Sequence, residues 1–310
     1  MRISTSMIYS QGGSQISNLQ NAVINSQQHI SADSSILTPA DNPAAAAQVL
    51  NVAQMQSMNN QFATNRQAAE NSLNMTGSAL SSVTTLLQSA HTLVISAGDP
   101  TLSASDRSVL AVQARNDFNS MLALANATDG TGNYLFGGYH TATPPFVQTS
   151  TVVGTTTVTG AQYEGDQGQR QLEVGNNQQI AVSASGSAIF QSGGQDIFKT
   201  LDSLATLLAT PSLSNAALTA GLSAASDGIT QTLNKVLTAS TTAGASLQQL
   251  SALDTTGTSL DVQYAQNLNS LQGLDYAKAI SQLTQETTTL QAAQQSFVKI
   301  SNLSLFNYIP

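Results

Sequence analysis

Residues 9–37, YSQGGSQISNLQNAVINSQQHISADSSIL, decide the fold. Tyr9, Ile16, Val23, Ile30 and Leu37 recur every seven residues, the spacing of an apolar stripe that lies along a partner helix. Leu19 sits three past Ile16, but Ser26 and Asp33 follow on its row. The seam is therefore narrow, and the helix is marginal by itself. Pro39 and Pro43 break the segment, because each proline disfavours helical geometry in the residue before it. Asp41 or Asn42 can then cap the next helix, with Pro43 at its first position.

Working outward, the run from Ala44 to Ala97 holds Gly77 as its interior glycine and no proline. One heptad row there reads Val52, Asn59, Arg66, Leu73, Leu80, Leu87, Val94; another reads Phe62, Ala69, Thr76, Val83, Ala90, Ala97. A continuous helix of this length reaches roughly 80 Å. Gly98-Asp99-Pro100 ends it, and Ser105 or Asp106 is expected to start a further helix carrying Val109, Val112, Phe118, Met121, Leu122 and Ala125. From 131 to about 195 the helical period is lost. Leu172 and Val174, the turn Gly175-Asn176-Asn177, then Ile180 and Val182 predict a hairpin. Val152-Val153 and Val158 suggest two more strands. Helices are predicted again from Asp196 to the break at Pro211, over 213–240, and over 243–273. Asp275 caps a last helix whose row is Tyr276, Leu283, Leu290 and Phe297.

The expected fold class is mainly α with a β-rich insert: an elongated helical bundle with paired N- and C-terminal coiled-coil helices and a small outer β domain. The expected division is 1–40 with 275–310 (terminal coiled coil), 41–130 with 196–274 (helical bundle), and 131–195 (β-rich). The nine residues of the two terminal rows, Tyr9, Ile16, Val23, Ile30, Leu37, Tyr276, Leu283, Leu290 and Phe297, are the candidates for subunit packing. Each row lies outside a proline or aspartate boundary and is too narrow to bury itself in the bundle. Pairing of the two ends inside one subunit would still leave outer faces for neighbours.

Composition points the same way. Hydrophobic residues make up 41% of the 310, enough for a core, but charged residues only 8%. Roughly two residues in five are Ser, Thr, Asn or Gln, far above ordinary usage. Neutral polar surface costs less to desolvate than ionised surface, which suits burial between subunits. A secreted Ser/Thr-rich protein would share this composition. The net charge is −8, and the nine basic residues are scattered from Arg2 to Lys299, which argues against nucleic acid and anionic membranes as partners. Zero cysteine removes disulfides and thiol chemistry. The opening after Arg2 is too polar for a signal peptide, and no window reaches the length of a membrane span, so export without a cleaved leader is the expectation.

No catalytic constellation emerges, and no cofactor or metal is expected. His29, His91 and His140 are far apart without acidic partners at ligand spacing. Glu164, Asp166 and Glu173 lack the alternating ligands of a calcium loop and read as a solvated β-turn. The stretch Gly132-Asn133-Tyr134-Leu135-Phe136-Gly137-Gly138-Tyr139 has no lysine and no helix after it, so it does not cradle phosphate. Glutamate occurs only at 70, 164, 173 and 286, too dispersed for a carboxylate pair. A secreted enzyme or adhesin working through residues 131–195 is the competing reading from another class.

Four motifs in order carry a resemblance: Met1-Arg2-Ile3-Ser4-Thr5-Ser6-Met7-Ile8-Tyr9, Pro39-Ala40-Asp41-Asn42-Pro43-Ala44-Ala45, Gly132 to Gly138, and Ser304-Leu305-Phe306-Asn307-Tyr308-Ile309. They resemble the flagellar hook-associated protein 3 family, hook–filament junction proteins related to flagellin. Asn42 stands where that family usually has a second aspartate, and Pro310 is an addition. The resemblance implies a ring of copies between the hook-side junction protein and flagellin, with terminal helices lining the inner tube and a β-rich domain outside. It also implies location in the extracellular flagellum and type III export, with a cytoplasmic chaperone on the C-terminal segment. Flagellin itself is the alternative; Arg2-Ile3-Ser4-Thr5 and Asn307-Tyr308-Ile309 favour the junction protein.

Overall fold

The computed structural model of the chain describes residues 5–153 and 156–302; Met1 to Ser4 of the first motif and the closing motif lie outside them. The element order is α1 (Thr5–Ser31), α2 (Pro43–Ala97), α3 (Ala104–Ala125), β1 (Phe146–Val153), β2 (Thr156–Tyr163), β3 (Gln171–Gly175), β4 (Gln178–Ala181), α4 (Gly186–Phe190), α5 (Ile197–Ala209), α6 (Asn215–Gln272) and α7 (Tyr276–Asn302). The chain is mainly α with a small β insert. It divides into two compact units, 1–59 with 259–310, and 60–258.

Local chemistry explains most boundaries. Asn42 caps α2, its Oδ1 accepting from Ala45 N at 3.1 Å. Helix α3 starts earlier than the Ser105 or Asp106 expected. Ser103 and Asp106 form a reciprocal capping box, which satisfies two orphan N–H groups and sets the start at Ala104. Asp196 caps α5 through Phe198 N and Lys199 N, and Asp275 caps α7 through Lys278 N. The two helices expected over 213–240 and 243–273 are one, the 58-residue α6. A single glycine costs a helix only about 1 kcal/mol, and nothing stands within 4 Å of where a Cβ on Gly244 would lie. Threonine hydroxyls along α6, such as Thr241 and Thr242, bond back to carbonyls four residues earlier and stay inside the helix.

In the 60–258 unit, five of the eight phenylalanines form one buried cluster, Phe118, Phe136, Phe146, Phe190 and Phe198. Phe146 sits 5.5 Å from Phe190 and 5.1 Å from Phe198, centroid to centroid. Leu80, Val83, Leu87 and Val94 of α2 and Leu201 and Leu204 of α5 join it. The strands form two antiparallel hairpins, β1–β2 and β3–β4, the second with Leu172 opposite Ile180 as its alternation predicts. A smaller cluster of Ala69, Leu73, Val174, Ile180, Val182, Ala243 and Leu250 seats that hairpin on α2 and α6.

The glycine-rich stretch and the acidic knot turn out to be one device. Leu135 and Phe136 plug into the phenylalanine cluster, and Gly138 then turns with φ +71°. The Asp166 carboxylate accepts from Tyr139 N at 3.0 Å and Gly168 N at 2.7 Å, so this is a clamp and not merely a solvated turn. The Tyr139 N–H bond holds the Asp166 pKa below the ordinary carboxylate value.

Candidate assembly interface

In the unit of 1–59 with 259–310, α1 and α7 pair antiparallel. Tyr9 meets Phe297 edge-on, 6.0 Å between centroids, and its hydroxyl donates to Ser301 O at 3.3 Å. Ser26 Oγ donates to Glu286 Oε2 at 2.6 Å, and Glu286 Oε1 accepts from Gln282 Nε2 at 2.9 Å. At the far end Tyr276 lies beside Asp33. Burial first, then the Asp33 charge, pushes the Tyr276 pKa up.

Gly12 provides the notch that Phe297 enters. A Cβ there would lie 2.7 Å from the ring. The second row of the α1 seam is thus Gly12, Leu19, Ser26: one hole, one apolar knob and one polar contact. A polar contact inside a helix pair fixes register at some cost in stability.

The structure brings together most of the predicted packing residues. Val23 is buried, at 9% exposure; Tyr9, Ile16, Ile30, Leu283, Leu290 and Phe297 are half-buried, and Tyr276 is exposed. Leu37 is not on the helix. Helix α1 stops at Ser31 in a left-handed turn at Asp33 (φ 49°), with Ser34 N bonded to His29 O and Asp33 N to Ile30 O. This is the terminating geometry that satisfies the last carbonyls. The heptad spacing of Leu37 is therefore a coincidence of count.

Among the described residues, Val23 is the single buried hydrophobic in this unit, whereas the 60–258 unit holds two buried clusters. Met7, Ile24, Leu37, Leu50, Met55, Met58, Val262, Tyr276, Ile280, Val298 and Ile300 stay exposed in the smaller unit. Leu37 and Tyr276 belong to the expected rows; the other nine lie off them and were not expected. For Met7 and Ile24 the signal was available: apolar residues on a helix otherwise rich in Ser, Asn and Gln.

The three histidines lie apart, and two of them have local partners. His29 Nδ1 lies 2.9 Å from Ser34 O, and His91 Nε2 is 3.3 Å from Ser226 Oγ. Among the described residues no group of three His, Cys, Asp or Glu could hold a metal, and no helix is long and apolar enough to cross a membrane.

Comparison with known proteins agrees with this arrangement. Residues 3–141 match the family described as the bacterial flagellin N-terminal helical region. Flagellar hook-associated protein 3 of Salmonella typhimurium is 32% identical over 323 residues, covering 99% of both chains. The Escherichia coli protein of the same name matches with the same identity and coverage. Among solved structures, a flagellar hook-associated protein of Vibrio parahaemolyticus superposes with a TM-score of 0.66 at 22% identity, covering 75% of this chain and 100% of its own. The flagellar junction protein FlgL of Legionella pneumophila gives 0.58 at 19%, covering 73% and 100%. At those identities the structures speak to the fold, and the end-to-end sequence match speaks to descent. The chain belongs to the flagellar hook-associated protein 3 family.

Proposed function

We propose that this chain is a non-catalytic structural subunit of the bacterial flagellum that joins hook to filament by assembling in a ring. The observation that carries the reading is the terminal hairpin, whose helices α1 and α7 pair yet, among the described residues, bury one hydrophobic side chain, Val23. Such a hairpin gains its missing burial from neighbours: other copies of itself, the hook-side junction protein on one side and flagellin on the other. The nine terminal-row residues serve that packing, with Leu37 acting from the loop after α1. Relatives matched over their whole length are hook-associated proteins, which favours this role over a filament subunit. The proposed layers are 1–40 with 275–310, 41–130 with 196–274, and 131–195. A weakly self-sufficient terminal pair also suits passage through the flagellar export channel with a cytoplasmic chaperone on the C-terminal segment.

Deleting the gene tests the role. Intact hooks should remain while unpolymerised flagellin spills into the medium; hooks that still carry filaments of reduced mass would contradict it. A finer test replaces Val23 and Leu290 with Asp in the full chain. A charge in this seam costs several kcal/mol at the buried position. Motility should be lost while the melting of the 60–258 unit is unchanged. Wild-type swimming by the double variant would refute the packing role.

A further inference from the structure

Within the 60–258 unit, a pocket of about 430 Å³ opens between α2, the end of the β3–β4 hairpin, α4 and α6. That size suits a small molecule. Leu73 of α2, Val182 and Ala184 after β4, Ile189 of α4, and Ala239 and Ala243 of α6 supply its apolar surface. Most of the hydroxyls that line it are already engaged. Thr76, Thr238 and Thr242 each donate to the carbonyl four residues earlier, at 2.9, 2.8 and 2.9 Å, and Ser183 Oγ accepts from Arg170 N at 2.8 Å. A sugar or other polyol, which must satisfy many hydrogen bonds at once, finds few partners on these walls.

One lining residue is charged, Lys235. Its ammonium donates to Ser192 O, which uses one of its three N–H groups. Among the described residues it has no acidic partner. The acids on the adjoining loops are committed elsewhere: Asp196 caps α5 and lies 3.8 Å from Lys199, and Asp166 accepts from Tyr139 N and Gly168 N. A half-buried cation with unspent donors, set at an apolar pocket, calls for an anion attached to an apolar body. Lys235, Ala239 and Ala243 follow at i, i+4 and i+8, so head and body would lie along one face of α6 over about 12 Å.

We infer that this pocket binds an alkyl carboxylate of medium length, its head on the Lys235 ammonium and its chain along Ala239 and Ala243 towards Leu73. The pocket lies wholly in the 60–258 unit, so this ligand is independent of the terminal seam.

Sodium decanoate titrated into the full-length chain tests the assignment, read by calorimetry and by carbon NMR of a labelled carboxyl. One saturable site per chain is expected. Lys235→Met should weaken decanoate about tenfold or more, while leaving decanol binding as in the wild type; Lys235→Arg should restore most of the affinity for decanoate. Ala239→Leu should fill the pocket and abolish binding of both ligands. Should Ala239→Leu fail to fold, the Lys235 pair decides alone, since a methionine keeps most of the lysine stem on α6. The assignment is overturned if decanoate shows no saturable binding. It is equally overturned if Lys235→Met leaves decanoate unchanged, as binding to exposed apolar residues of the terminal helices would, or if it weakens decanol as much as decanoate.

Discussion

Gly138 and Asp117 show how single residues carry stresses that a linear reading misses. Gly138 sits at positive φ against the Asp166 carboxylate, and a Cβ there would run into it. Gly138→Ala should therefore cost about 1–3 kcal/mol, read as a lower melting temperature. Asp117 is a carboxylate on α3 at 3% exposure. Its Oδ1 accepts from Gln113 Nε2 at 3.0 Å, while Oδ2 has no hydrogen-bond partner. Burial pushes its pKa up, the Gln113 bond opposing only in part. The sign follows directly. An acid whose folded pKa exceeds its unfolded pKa favours folding when protonated, and that stability is lost as pH rises from the ordinary carboxylate range through the raised value. Asp117→Asn should melt a few degrees above the wild type near neutral pH, with the gap closing in acid. An equal gap at every pH would assign the effect to packing instead.

At the scale of elements, what was legible depended on period. The α2 row of Leu73, Leu80, Leu87 and Val94 is buried throughout, and the β3–β4 hairpin has the register its alternation implies. Less legible were features without a period. The 58-residue α6 was expected as two helices, although a glycine costs a helix little and threonine hydroxyls stay within it by bonding to their own backbone. The end of α1 was missed because Asp33 adopts a left-handed turn that no glycine advertises. The polar part of the α2 row had a tertiary reason. Arg66, buried at 5%, reaches Val174 O and Asp254, both at 3.2 Å, and Gly257 leaves it room. The pair is asymmetric, since the Asp254 side chain is 63% exposed. Asp254→Ala strands a buried cation and should cost about 2–3 kcal/mol. Arg66→Met leaves a carboxylate already largely in water and should cost less. Denaturant melts of both variants decide; the reverse order would show that Arg66 acts mainly by packing.

Across the whole molecule, composition and burial tell one story. The 60–258 unit concentrates the phenylalanines and the buried aliphatic clusters, while the terminal unit, among its described residues, buries Val23 and leaves apolar side chains open along its helices. Few charges and many neutral polar groups make the terminal surface inexpensive to cover. Family membership and burial meet in the proposal that partners complete the terminal helices. Hydrogen exchange on the dilute, unassembled chain tests that proposal most directly. Amides of 5–31 and 276–302 should exchange orders of magnitude faster than those of α3 and α5. Protection at the termini equal to that of α3 and α5 would contradict the account.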